Sequence, residues 1–236
     1  MDCRPFFFKQ FGLFHHRSTM KIGTDAILLA RWVDVFGNDE VLDVGTGCGL
    51  IPLMLAQKGI KSADAVEIDK DSFEEAAQNF NNSAWNSHLF AINDDIKHYS
   101  DNCNKKYDLI VSNPPFFFGD NIPANAKKGL ARHTNTLSYN DLLLSVKKLL
   151  KLNGRFALVL PARESQTFLK DAENQGFFLK KEMKIVPIAG KEPNRIIMQL
   201  VVNHVDKVET DTFVLRDQDH TFTREYKDFL KDYYLD

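Results

Sequence analysis

Cysteine is scarce: Cys3, Cys48 and Cys103 are the three in 236 residues, odd in number and far apart, with no Cys-x-x-Cys pair. That pattern excludes a disulfide framework and a cysteine-based zinc site. The seven histidines show no metal-ligand spacing. His15 and His16 are adjacent, and adjacent side chains diverge on a helix or a strand. No metal is expected. Strong charge of either sign is also missing. A formal net charge of −2 gives no global attraction to nucleic acid, so such a partner would need local basic patches. No apolar run approaches the length of a membrane span. Phe6-Phe7-Phe8 is ended by Lys9 and Gln10, too early for a secretory signal. These absences predict a cytoplasmic protein with no membrane partner. Repeats, low-complexity tracts and linkers are absent too, so residues 1–236 read as a single domain.

What is present is ordinary globular material, 44% hydrophobic and 26% charged, long enough to bury a sizeable core. Leu29, Trp32, Val33 and Phe36 repeat at helical spacing, which predicts a helix over 24–36 with Thr24 or Asp25 as its cap. Short strands are expected at 40–44, 63–68, 88–93 and 107–112. Helices are expected at 50–58 and from about 69 to 81. Ser138 with Asp141 three residues on opens a helix. Its apolar stripe is Leu142, Leu143, Val146, Leu149 and Leu150, and Gly154 is expected to close it. Lys147, Lys148 and Lys151 read as a solvated face of that helix. A strand at 155–160, a helix at 164–175, strands at 178–186 and 195–203 and a last helix at 223–234 complete the pattern. Strands alternating with helices imply an α/β fold, a parallel sheet with helices on both faces. Ligands bind such sheets at the carboxyl ends of the strands. Residues 119–137 form a polar, Lys-rich stretch without clear period, long for a structureless loop in a compact domain.

Two segments fall on that carboxyl edge. The first is Val41-Leu42-Asp43-Val44-Gly45-Thr46-Gly47-Cys48-Gly49, with glycines at alternate positions, which lets the backbone come close to a ligand. A dinucleotide site would want Gly-x-Gly-x-x-Gly to seat a pyrophosphate. Here the third glycine comes one residue early, and Asp43 would repel a pyrophosphate but accept an ammonium or a sulfonium. The pattern favours S-adenosylmethionine (SAM) over NAD. Glu67 follows Gly45 by 22 residues and can accept ribose hydroxyls, as dinucleotide enzymes also arrange. Asp95 with Ile96 can clamp an adenine; Asp95 or Asp94 can equally cap a helix. The second segment is Asn113-Pro114-Pro115-Phe116. Two prolines remove two N–H donors and stiffen the turn, and the preceding Asn is held out of the helical region. The Asn113 oxygen and the Pro114 carbonyl can each accept one hydrogen of a planar NH2 group while Phe116 covers the plane.

Together these residues resemble the Class I SAM-dependent methyltransferases. More narrowly they resemble the bacterial valine-tRNA adenine-N6 methyltransferases, which modify the adenine just 3′ of the anticodon. The resemblance covers nearly the whole chain. It rests on Phe8 to Phe11, His16-Arg17, Met20 to Asp25, Asp43 to Gly49, Glu67 to Asp69, Asn113 to Phe116, Ala131 to His133, Phe213 to Asp217, Thr223 to Tyr226 and Tyr233 to Leu235. It implies a Rossmann-like sheet, mostly parallel with one antiparallel strand towards an edge. It implies an N-terminal segment, 1–37, flanking cofactor and substrate, and a helical tail at 210–236. It implies Lys21 and Thr24 at the methionine carboxylate of SAM and Asp43, Gly45, Gly47, Gly49, Glu67, Asp95, Ile96 and Asn113 around the rest of the cofactor. Asn113, Pro114 and Phe116 are the expected catalytic set, and the implied substrate is a tRNA met by a monomer.

Basic candidates for phosphate contact are Lys127, Lys128, Arg132 and His133, and separately Lys9, Arg17 and Lys21. The Asn-Pro-Pro turn also suits a guanine-N2 methyltransferase of ribosomal RNA. It suits a protein glutamine-N5 methyltransferase too, although such enzymes usually carry an added N-terminal helical domain. Glycine spacing and Asp43 oppose a NAD-dependent oxidoreductase. A non-catalytic SAM sensor would not need Asn113-Pro114-Pro115-Phe116.

Overall fold

The computed structural model describes residues 4–115 and 137–235. Phe116, Lys127, Lys128, Arg132 and His133 lie outside the described residues. A small antiparallel hairpin, β1 (Phe6–Phe7) and β2 (Gly12–Leu13), opens the chain. Then come α1 (Thr24–Trp32), β3 (Glu40–Val44), α2 (Leu50–Gln57), β4 (Ser62–Glu67), α3 (Lys70–Asn81) and β5 (Leu89–Asn93). The order continues with α4 (Ile96–Asn102), β6 (Tyr107–Ser112), α5 (Tyr139–Leu149), β7 (Leu150–Pro161), α6 (Ala162–Asn174), β8 (Phe178–Val186) and β9 (Arg195–Val201). It ends with β10 (Glu209–Val214) and α7 (Arg224–Leu230).

Eight strands form one sheet in the order β10-β8-β9-β7-β6-β3-β4-β5. Strands β5, β4, β3, β6 and β7 are mutually parallel, and β10 is parallel to β8. Only β9 runs against its neighbours β7 and β8. This is the expected Rossmann-like sheet with one antiparallel strand near an edge. Successive side chains of a strand point to opposite faces, and both faces here are apolar. Val41, Ala63, Ala65, Leu109, Val111, Ala157 and Val159 share one core with residues of α1, α2, α3 and α7. Leu42, Val44, Val66, Ile110, Phe156, Leu158 and Leu160 share the other with α4, α5 and α6. Strands buried on both faces read as continuous apolar runs rather than alternating ones, which is why β6 and β7 stand out in the sequence.

Several local expectations are corrected. Gly154 does not close α5. The helix ends at Leu149, and Gly154 sits inside β7. A Cβ there would lie 2.7 Å from the Leu150 side chain, so tight packing explains this glycine. Lys151 is on β7, not on the helix, and pairs with Asp108 at 2.8 Å and Glu40 at 3.3 Å. Neither Thr24 nor Asp25 caps α1: Gly23 holds the cap position with no side-chain bond. Asp25 instead accepts from Arg195 Nε at 2.8 Å. The tail is not helical throughout, because β10 extends the sheet before a two-turn α7. That strand escaped notice because Glu209-Thr210-Asp211-Thr212 is exposed and lacks an apolar alternation. Helix α4 was also missed; it is seven residues, with only Ile96 and Ser100 buried.

Candidate active site at the carboxyl edge of the sheet

Strand β3 carries Asp43 to the carboxyl edge, where the chain turns through Gly45, Gly47 and Gly49. All three have positive φ, at 73°, 58° and 85°. Gly45 and Thr46 donate to the Val66 carbonyl at 2.9 and 3.2 Å, tying the turn to β4. A Cβ at Gly45 or Gly47 would meet nothing within 4 Å, so their conformation, not crowding by the protein, calls for glycine, and the backbone stays open to a ligand. Gly49 differs. A Cβ there would lie 2.5 Å from Phe80 Cε1, so its smallness lets α2 start against α3.

Asp43 is 0% exposed, and neither carboxylate oxygen has a partner among the described residues. Burial pushes its carboxyl up from 3.8 to about 7; the neighbouring Thr46 hydroxyl holds it back in part, and the charge of Glu67 adds to the rise. Thr46 is the neighbouring donor, but its hydroxyl makes no well-formed bond to the carboxylate; a buried carboxyl so weakly satisfied is costly, and a cation brought to this edge would offset that cost. Glu67, 8% exposed at the end of β4, accepts from Gly47 N–H and Asp69 N–H, both at 2.9 Å. Desolvation raises its pKa as well. Glu67 therefore shapes the glycine turn itself, with lone pairs left over for hydroxyl donors. Asp95 caps α4, accepting from Lys97 N–H at 2.7 Å through Oδ1, and Ile96 is the first residue of that helix.

Strand β6 ends at Ser112, whose hydroxyl donates to the Val44 carbonyl at 2.9 Å and joins the two strand ends. Asn113 follows at once. Its Oδ1 is buried and has no hydrogen-bond partner among the described residues. Pro114 is buried and Pro115 exposed. The structure thus brings Asp43, Gly45, Gly47, Glu67, Asp95 and Asn113 to adjoining ends of parallel strands β3 to β6. Lys21 and Thr24 are exposed at the start of α1. Arg17 is not free: its guanidinium reaches Glu74 at 3.4 Å and Gln78 at 3.2 Å on α3.

The residues present fit SAM. An orphaned buried carboxylate suits the ammonium of its methionine end, the open glycine turn suits close approach, and Glu67 suits the ribose. The profile of the Methyltransferase small domain family matches residues 6–172. A relative from Trichodesmium erythraeum is 40% identical over 100% of this chain and 99% of its own. One from Tolumonas auensis is 37% identical over 100% and 98%. Both are named tRNA1(Val) (adenine(37)-N6)-methyltransferase. The chain belongs to this family. It is a SAM-dependent methyltransferase. Solved structures with the same fold include a predicted O-methyltransferase from Agrobacterium tumefaciens, 15% identical, with a TM-score of 0.68 over 89% of this chain and 96% of that one. TrmN from Thermus thermophilus is 25% identical, with a TM-score of 0.54 over 75% of this chain and 47% of that one.

For a methyltransferase of this family, sequence reasoning missed the residues that brace the site. Asn93 Nδ2 donates to the Glu67 carbonyl at 2.8 Å. Ser72, Glu75 and Asn79 are buried on α3. The signal for these was available: three polar residues fall on the face of α3 that also carries buried Ala76 and Phe80, and buried polar groups need partners. Among the described residues no cluster of His, Cys, Asp and Glu could hold a metal, and no helix is long and apolar enough to cross a membrane.

Proposed function

We propose that this enzyme methylates the exocyclic N6 amine of adenine 37 in a valine tRNA, in the cytoplasm. The observation that carries this reading is the buried Asn113 Oδ1, without a partner among the described residues, on a proline-stiffened turn beside the glycine loop. Leaving such an acceptor unsatisfied costs about 1–3 kcal/mol, a cost relieved when an amine donates to it. The names of full-length relatives support the choice of base and RNA.

When bound, SAM supplies an electrophilic methyl group. Asp43, Gly45, Gly47, Glu67 and Asp95 would hold it, with Lys21 and Thr24 at its carboxylate and the Ile96 N–H at its adenine. The chain's own task is to make a poor nucleophile competent, because the adenine amine lone pair is delocalised into the ring. Asn113 Oδ1 and the Pro114 carbonyl each accept one amine hydrogen, which makes the nitrogen more tetrahedral and exposes the lone pair. These fixed acceptors also stabilise positive charge as it develops on that nitrogen, and positioning supplies much of the remainder. No strong base is required, since the methylated ammonium is acidic enough to release its proton to water. Phe116 is assigned the face of the base by stacking. The base must leave its stack to reach the turn, which an anticodon loop permits at low cost. Lys127, Lys128, Arg132, His133 and Arg17 are assigned to phosphates, Arg17 in exchange for its contacts on α3.

The test is methyl transfer from labelled SAM to total bacterial RNA, followed by digestion and nucleoside mass analysis. N6-methyladenosine confined to a tRNA fraction is expected. N2-methylguanosine in ribosomal RNA, or label only in protein glutamine, would overturn the assignment of substrate.

A further inference from the structure

Residues 14–19 run along α3 without belonging to a helix or strand. Their amides therefore need acceptors from elsewhere, and α3 supplies them from one face. Asn79 Oδ1 accepts from Phe14 N–H at 2.9 Å, and Asn79 Nδ2 donates back to the Phe14 carbonyl at 2.8 Å. Glu75 Oε1 accepts from His16 and Arg17 N–H at 2.9 and 3.0 Å. Its Oε2 accepts from Ser18 N–H at 2.9 Å and Ser18 Oγ at 2.5 Å. Ser72 Oγ accepts from Thr19 N–H at 3.2 Å. Glu75 is 0% and Asn79 1% exposed, so this is a buried set of contacts, not a surface accident.

One further bond and the course of the chain tie this strap to the site. Asn79 Nδ2 also donates to the Cys48 carbonyl at 2.8 Å, inside the glycine turn. The strap leads directly through Met20 to Gly23 into α1, whose first turn is held to the carboxyl edge by Asp25 and Arg195. One helix face thus sets the glycine turn on one side and the approach to Lys21 and Thr24 on the other.

We propose that residues 14–19 are a strap whose docking on α3 through Glu75 and Asn79 sets the methionine end of the donor site, which makes Glu75 a positioning residue for donor binding. The inference rests on the proposed placement of the donor. It holds although Glu75 touches neither donor nor substrate: the carboxylate acts by fixing the backbone that carries Lys21.

The test uses Glu75→Gln, which keeps shape but removes the charge that four donors share. It also uses the milder Ser18→Ala, which removes one hydroxyl bond and serves if the first variant folds poorly. Titration with S-adenosylhomocysteine is combined with amide hydrogen exchange and steady-state kinetics. Glu75→Gln is expected to speed exchange at 14–19 and to weaken S-adenosylhomocysteine about tenfold, the order for a lost charge-assisted hydrogen bond. The KM for SAM should rise in step, with kcat at saturating SAM nearly unchanged. Ser18→Ala should move in the same direction by a few-fold. Faster exchange at 14–19 with unchanged ligand affinity in both variants would overturn the strap proposal alone. Failure of the wild type to bind S-adenosylhomocysteine would overturn the donor assignment beneath it and the strap with it.

Discussion

At the residue scale the candidate site carries two side chains whose acceptors find no partner among the described residues. Asn113 Oδ1 and both oxygens of Asp43 are buried without partners among the described residues, so function and stability oppose each other at these positions. Asn113→Ala should therefore lower turnover by on the order of 10² or more while the melting temperature holds or rises and S-adenosylhomocysteine still binds. Near-normal turnover in that variant would remove Asn113 from the mechanism. Asp43 makes a pH prediction. Its carboxyl stands at about 7 in the fold against an ordinary 3.8. Between those values the folded state binds more protons than the unfolded one, so stability falls as pH rises through the window. Above it both states are ionised and the cost of the buried charge is complete. Asp43→Asn should lose this slope: its melting temperature relative to wild type should be higher at pH 8 than at pH 5 in ligand-free protein. Parallel profiles would show that Asp43 is not the group responsible.

The decisive elements are short turns after strands, each legible for a physical reason. Alternate glycines and a double proline are local backbone chemistry, so the turn at 45–49 and the turn at Asn113 could be placed from the chain alone. Two glycines of similar φ allow the close-packing argument to be tested. Gly49→Ala brings a Cβ against Phe80 as well as backbone strain, whereas Gly59→Ala, at φ 91° with nothing within 4 Å, brings only strain. Urea unfolding should show a loss of about 1 kcal/mol for Gly59→Ala. The loss should be about 2 kcal/mol or more larger for Gly49→Ala. Equal losses would mean that α2 and α3 can part without cost. Less legible were α4, β10 and the role of α3. The first two bury few side chains, and the third shows itself only when the partner of each buried polar group is known.

For the whole molecule, a net charge of −2 means that any RNA contact is local and salt-sensitive. Neutralising Lys127, Lys128 and Arg132 together should flatten the dependence of log affinity on log salt by about 2–3 units, near one per phosphate contact. Methylation of a minimal anticodon stem-loop and of whole tRNA should weaken alike. An unchanged slope would remove that patch from the interface. What the chain determined by itself was the α/β alternation and the placing of the glycine turn and of Asn113 directly after strands, at the carboxyl edge that forms the candidate site. All of these depend on residue types within a few positions of one another. What only the tertiary structure decided was which acceptors remain empty. Glu67 and Asp95 are partly occupied by backbone amides of Gly47, Asp69 and Lys97, and Arg17 is occupied by α3. Asp43 and the Asn113 oxygen have no partner among the described residues, which is what leaves them to ligands in the proposed function. Hydrogen-bond satisfaction is a property of neighbours brought together by folding, and residues 57 to 59 positions apart, as Glu75 is from Ser18, Arg17 and His16, announce it in no local pattern.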